Sequence, residues 1–467
     1  MTDYIEQMKK FYTQSDFCAI SGQKQTDGTI YFKDPTYYGR KSETFLASSV
    51  DKVFADAKNY LEPSSLYVHV PFCNLRCSYC DFFRNRYDAQ LVERYVDALR
   101  RELFYFQSKG IFENRPIKAI FFGGGTPTVL KPEQIYNLLR EIKNAAELED
   151  NCEITIESSI LDMSDEKFIA CIEGGATRFS FGVQTFKDDL RKALGRTHTK
   201  EDIIAKLKHM ATGKAKIIID LIYGLPNQSK EDVLKDIDTA LEANVSGFDL
   251  YKLQIFPKSP LGEAIKKGSI AHKENTAFLL DTFLAASEHL AEKNIEAISC
   301  CHWRSRKDEI SLYNTLVKCG TDLVSLGSSC GGRLGPYGYM KTLKQDSYID
   351  NVLAGKFASM GFVKENENYK LLKGINGQID QGFLDFSASF YKDFPASDTF
   401  APLLEKWLGF GLVKIDGNIY RLTNTGRFYY RTLTRVLLSA ADFYFYGKGS
   451  FLDKMKGKMF NKMENLK

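Results

Sequence analysis

Three cysteines stand at positions 73, 77 and 80 in the segment PFCNLRCSYCDFF, a C-x3-C-x2-C spacing. Thiolates are the usual protein ligands of iron–sulfur clusters, and one short loop can present three sulfurs to three corners of a cube. Three ligands leave a fourth iron open, where a small molecule can coordinate and receive an electron. A zinc site would want a fourth protein ligand, or His and carboxylate neighbours around a bound water. Neither is adjacent, and position 82, where a fourth cysteine could stand, is Phe82. The other seven of the ten cysteines, including Cys300 and Cys301, are irregularly spaced and suggest no disulfide framework.

Other groups with chemical potential sit where apolar runs end. FFGGGTPT (121–128) contains Gly124, Gly125 and Thr126; backbone without side chains can approach a ligand closely and offer its own polar groups. Glu157 ends CEITIE, Gln184 follows FSFGV, Arg196 lies in LGRTHT, Asp220 lies inside KIIIDLIY and His302 follows two cysteines. Taken singly, Glu157 and Asp220 read as core carboxylates, Gln184 as a turn residue and Arg196 as a surface charge.

The elements that must position these residues show a rhythm. Apolar runs at 66–72, 117–122, 152–157, 177–183, 215–223, 248–256 and 295–300 alternate with amphipathic helical patterns such as AQLVERYVDALRRELFYF. Alternation of this kind predicts a parallel sheet with right-handed crossovers, here a partial (β/α)6–7 barrel of the α/β class. Runs such as KIIIDLIY fit a sheet buried on both faces, and in a parallel barrel the C-terminal strand ends carry the chemistry. The expected division is an N-terminal extension (1–65), the barrel (66–300), a segment closing the substrate pocket (301–370) and a mainly helical, winged-helix-like module (371–467) with a hairpin turning at Asp416-Gly417. In the basic tail, Phe451, Leu452, Met455, Met459, Met463 and Leu466 recur near helical spacing, which reads as a solvated or docked tail, or as a membrane-surface or partner helix.

At 467 residues, with 44% hydrophobic and 26% charged residues, the chain has ordinary globular composition. A formal net charge of +4 gives no strong field for nucleic acid. No apolar window is long enough to span a bilayer, and the N-terminus lacks the apolar core of a signal peptide. The expected compartment is the cytoplasm, with reduced thiols.

The cysteine motif at the end of the first strand resembles the radical S-adenosylmethionine (SAM) superfamily. Together with FFGGGTPT, FSFGVQTF and DLIYGLPNQ it resembles the subgroup of the oxygen-independent coproporphyrinogen III oxidases and their haem-chaperone relatives, over roughly residues 66 to 340. The resemblance implies a [4Fe-4S] cluster on Cys73, Cys77 and Cys80, and two SAM molecules. Tyr67, Tyr79, Gly124 and Glu157 would hold the cluster-bound SAM. Gly125, Thr126, Gln184, Arg196 and Asp220 would hold the second, with Gln254 and Gly331 weaker matches. The oxidases usually carry a cysteine where this chain has Phe82, which sets it apart from them.

YKLQIFPKSPLGEAIKKGSI, SCCHWRSRKDEISLYN and SLGSSCGGRLGPYGYM resemble the anaerobic haem-degrading methyltransferases, the anaerobilin synthases. That likeness implies that a 5′-deoxyadenosyl radical activates the methyl group of the second SAM. The carbon radical adds to haem, the macrocycle opens and iron is released. The implied partners are haem or another porphyrin and a flavodoxin- or ferredoxin-type electron donor. His302 is the candidate haem ligand, with Cys301 and Arg333 as further haem contacts and Arg304 as a candidate propionate partner. A coproporphyrinogen III dehydrogenase and a haem chaperone remain the alternatives.

Overall fold

The computed structural model describes residues 22–31, 43–60, 62, 64–81, 85–272 and 275–446. Phe82 and the basic tail fall outside them. Six parallel strands run side by side in chain order: β1 (Ser64–Val70), β2 (Ile117–Gly124), β3 (Leu148–Ser158), β4 (Arg178–Gln184), β5 (Lys216–Tyr223) and β6 (Gly247–Lys252). Helices α1 (Ala89–Ser108), α2 (Pro132–Ala145), α3 (Asp165–Gly174), α4 (Lys200–Met210) and α5 (Lys230–Glu242) cross over between them.

Local sequence sets these boundaries. The Asp88 side chain caps α1 by accepting from the Leu91 N–H, and Val92, Tyr95, Val96, Leu99, Leu103 and Phe106 then recur at helical spacing and are buried. Capping boxes Thr199/Asp202 and Ser229/Asp232 open α4 and α5. In β5, six of the eight side chains of KIIIDLIY are buried, as a strand covered on both faces requires.

The expected seventh strand forms differently. IEAISC contributes only Glu296–Ala297, which follows helix α6 (Thr276–Glu292) and pairs antiparallel with β7 (His302–Arg304), itself antiparallel to β6. After helix α7 (Leu312–Lys318) the chain returns to the opposite side, where β8 (Asp322–Leu326) lies parallel to β1. A buried ion pair anchors it: Arg115 Nε lies 3.0 Å from Asp322 Oδ2. Strands β9 (Gly331–Leu334), β10 (Tyr337–Lys341) and β11 (Ser359–Lys364) continue antiparallel, and Glu43–Phe45 completes a 13-stranded sheet.

The C-terminal region is mainly helical: α8 (Tyr369–Asp380), α9 (Ala396–Gly409) and α10 (Tyr430–Tyr446) surround the hairpin β12 (Val413–Asp416) and β13 (Ile419–Leu422). Asp416 faces Ile419, so Gly417 and Asn418 make the turn, with Gly417 at φ +60°. Its core, around fully buried Trp407, also takes in Ile30, whose N–H donates to the Tyr429 hydroxyl at 3.1 Å. Among the described residues, no helix is long and apolar enough to cross a membrane.

Candidate active site

A cavity of about 510 Å³ lies at the C-terminal ends of β1–β6. On one side it is lined by Cys73, Cys77, Tyr79 and Cys80, which follow β1. Backbone hydrogen bonds pin their loop: Ser78 N–H donates to Leu194 O at 3.1 Å, and Leu261 N–H donates to Ser78 O at 2.8 Å.

The glycine segment sits directly against this loop. Gly125 N–H donates to Val70 O at 2.9 Å and Thr126 N–H to Phe72 O at 2.8 Å. A Cβ at Gly125 would lie 2.5 Å from Phe72 O and 3.0 Å from Cys73 Sγ, so only glycine fits there. Gly124 takes φ +112°, and a Cβ would meet the His69 ring at 2.5 Å. Glycine at both positions therefore lets the second strand's end approach the first cysteine.

Around the remaining wall the strands deliver Glu157, Gln184, Arg196, Asp220 and Gln254. Gln184 sits at φ +73°, a conformation that costs a non-glycine residue energy and that occurs here in the cavity wall. Arg196 donates through Nη1 to Gly182 O at 2.5 Å and through Nη2 to the Tyr79 hydroxyl at 2.9 Å, tying the cysteine loop to the far wall. Glu157 Oε2 accepts from Gly124 N–H at 3.3 Å. Burial pushes its carboxyl up to about 7, opposed by that N–H and by Arg178. Burial also raises Asp220, with Asp249 and Glu157 adding repulsion against the pull of Arg178 and Arg196, to about 8. Burial pushes the Cys73 thiol up to about 11.

A model of the radical SAM superfamily matches residues 67–240, which include most of β1, the cysteine loop and strands β2–β5. Over 365 residues the chain is 31% identical to an anaerobilin synthase of Escherichia coli O157:H7, covering 78% of this chain and 81% of that protein. The chain belongs to the radical SAM superfamily. Within it, the chain falls in the group that also holds the haem chaperone HemW. HemW of Bacillus subtilis is 36% identical over 209 residues, 44% of this chain and 54% of that protein. The solved structure of coproporphyrinogen III oxidase (HemN) from Escherichia coli, described as a radical SAM enzyme, superposes with a TM-score of 0.73. It is 23% identical and covers 87% of this chain and 99% of that one, a likeness of fold.

Membership in the radical SAM superfamily implies a [4Fe-4S] cluster and SAM, and the cysteine loop suits the cluster. Its three cysteines form no disulfide, are half-buried, and line one cavity beside a glycine cradle that a Cβ would fill. Among the described residues, no group of three His, Cys, Asp or Glu side chains could hold a metal ion.

Other expected contacts lie elsewhere. Tyr67, on β1, is outside the cavity lining; its hydroxyl meets His69 Nδ1 at 3.0 Å and its ring stacks on Phe121 and Tyr313. His302 and Cys301 are buried behind the lining. His302 Nδ1 lies 3.1 Å from Asp249 Oδ2 and Nε2 lies 3.3 Å from Glu309 Oε1, so neither ring nitrogen is open to an iron. Arg333 projects from β9, pairing with Glu365 at 3.4 Å and covering the Tyr369 ring, and Gly331 pairs with Met340 on the same antiparallel extension. Arg304 is spent on Glu296. Arg333 and Gly331 stand apart because β9 and β10 continue the sheet on the far side of β1, whereas His302 and Arg304 lie on β7 at the opposite edge.

Among the buried lining residues that escaped the sequence reading are Arg178 on β4 and Asp249 on β6. Each is a charge inside an otherwise apolar strand (TRFSFGV and FDLYK), the same signal that marked Asp220. Arg431, exposed on α10, also reaches the cavity and had no such signal.

Proposed function

We propose that this chain degrades haem without oxygen, as an anaerobilin synthase-like radical SAM methyltransferase using two SAM molecules. The observation that carries the reading is the extent of the likeness to an anaerobilin synthase. At 365 residues it is much longer than the stretch from β1 to β6 and spans 81% of that relative. When bound, the cluster and its SAM supply one-electron cleavage of the sulfonium to an adenosyl radical.

The chain's own residues account for the rest. Cys73, Cys77 and Cys80 would hold the cluster, and Gly124 and Glu157 would meet the SAM beside it. Gly125, Thr126, Gln184, Arg196 and Asp220 would position a second SAM on the opposite wall. Arg431 and Lys252, at the rim, suit the carboxylates of a propionate-bearing tetrapyrrole, and Phe121, Tyr251 and Phe256 suit its flat apolar face. A flavodoxin- or ferredoxin-type protein would deliver the electron.

The test is an anaerobic incubation of reduced, cluster-loaded protein with SAM and haem, with products resolved by mass. Deoxyadenosine, S-adenosylhomocysteine and an opened, metal-free tetrapyrrole are expected. Stable bound haem without turnover would instead support a chaperone, the reading favoured by the 36% identity to HemW over the barrel-sized match. Decarboxylation of coproporphyrinogen in a parallel incubation would support the dehydrogenase.

A further inference from the structure

Across the cavity floor one row of the sheet carries Gly182, Asp220, Asp249 and His302. Asp220 is the register partner of Gly182 and of Asp249, and Asp249 is the partner of His302. Asp220 and Asp249 line the cavity, and His302 stands behind them.

Asp249 is braced through a chain of buried charges. His302 bridges Asp249, at 3.1 Å, and Glu309, at 3.3 Å. Glu309 in turn accepts from Arg178 Nε at 3.1 and 3.2 Å. Asp249, His302, Glu309 and Arg178 are 5%, 2%, 0% and 2% exposed. Burying four charges is costly and is seldom needed for stability alone, since apolar replacements of buried ion pairs are often neutral. Both ends of the chain belong to the cavity lining: Arg178, whose Nη2 is buried without a hydrogen-bond partner, and Asp249, whose ion-pair partner is His302.

We propose that Asp249, held in place by His302, is a ligand-binding residue, and that Asp249 and Asp220 together cradle the vicinal hydroxyls of a ribose carried by an adenosyl ligand. This rests on the reading that SAM occupies the cavity. Neighbouring parallel strands set the two carboxyl groups about 4.8 Å apart at the backbone. They are chemically unlike. Asp220, facing Ser180 and Arg178 of β4, Glu157 of β3, Asp249 of β6 and Arg196, is raised by burial and by the neighbouring carboxyls, which favours the protonated form that can donate a hydrogen bond. Asp249, paired with the imidazolium of His302, can accept one. A diol in which one hydroxyl donates and its neighbour accepts matches that asymmetry. A flat macrocycle offers no such pair of groups, and a phosphate would meet the carboxylate of Asp249.

The experiment compares binding of S-adenosylhomocysteine with that of its 2′,3′-dideoxy analogue, anaerobically, to the cluster-loaded protein and its Asp249→Asn and His302→Gln variants. Loss of a hydrogen bond to a charged group weakens binding by roughly tenfold or more. The wild type should therefore prefer the diol by at least about tenfold, and Asp249→Asn should reduce that preference to near unity. His302→Gln, which frees Asp249 without removing it, should leave an intermediate preference. Cluster absorbance and thermal midpoint, measured alongside, separate this loss from misfolding, because a purely structural residue would not change diol discrimination. The reduced cluster's EPR signal, followed during titration, tells which adenosyl ligand is held: a perturbation that survives in Asp249→Asn assigns the diol to the second SAM, and one that is lost assigns it to the first. Full diol preference in a folded Asp249→Asn variant would overturn the proposal. A wild type that binds no adenosyl ligand would instead overturn the reading of the cavity on which it rests.

Discussion

His302→Gln tests the buried charge chain through its pH dependence. Burial alone would lower the imidazole, but Asp249 and Glu309 outweigh it and raise it to about 9. A basic group raised in the folded state contributes stability that is complete below its unfolded value and is lost as pH rises through the folded one. For His302 that window runs from about 6.5 to about 9. At about 1.4 kcal/mol per pH unit, the contribution is about 3 kcal/mol. An unfolding entropy of about 2.1 cal/mol/K per residue makes 1 kcal/mol worth about 1 °C in a chain of this length, so the contribution equals about 3 °C. Scanning calorimetry of both proteins from pH 6 to 9.5 reads it as a difference. The gap in melting temperature should narrow by about 3 °C between pH 6.5 and 9, leaving a residue due to packing. Glu157 and Asp220, raised acids, lower the stability of both proteins as pH rises from about 4 through about 7 and 8. Their effect is shared and drops out of the difference. A gap that stays constant or widens across this range would refute a charged His302 clamped between two carboxylates.

Cys77→Ser should abolish the cluster's visible absorbance and reductive SAM cleavage while the fold, read by circular dichroism, persists; full cluster content would refute the ligand assignment. Gly125→Ala should lower cluster content at unchanged secondary structure, because the new methyl would meet Phe72 O and Cys73 Sγ; wild-type iron content would contradict the tight approach. Arg178→Met leaves Glu309, held at about 2 by Arg178 and His302 against its own burial, half-compensated in the core. It should cost about 3–5 kcal/mol in denaturant unfolding, and a loss under about 1 kcal/mol would show the pair to be dispensable.

The strands that build the site were legible because each is a short apolar run bounded by turn residues, and four of the six lie within about two residues of those runs. The exceptions are β3, which begins four residues before its run, at Leu148, and β6, which stops at Lys252 where the apolar run continues to residue 256. The cysteine loop, Gly124, Gly125, Glu157, Gln184, Asp220 and Gln254 stand at or just past strand ends or inside strands, Arg196 lies in the connection between β4 and α4, and the topology gathers them around one cavity. What escaped was long-range pairing. Nothing local in TRFSFGV says that Arg178 meets Glu309, 131 positions later, or that the chain crosses back after α7 to lay Asp322–Leu326 beside β1. The same return carries Arg333 away from the cavity, so its place beside other motif residues in the sequence misled. His302 misled for another reason: its neighbours at 300–304 look like a pocket edge, whereas β7 turns its ring onto Asp249.

Isotope labelling reads the proposed transfer of carbon from SAM to haem directly. Reduced, cluster-loaded protein would be given haem and SAM bearing a trideuterated methyl group, under anaerobic single-turnover conditions. Carbon transfer yields deoxyadenosine carrying one deuterium and a ring-opened tetrapyrrole carrying two. Haem recovered intact, with unlabelled deoxyadenosine, would contradict it.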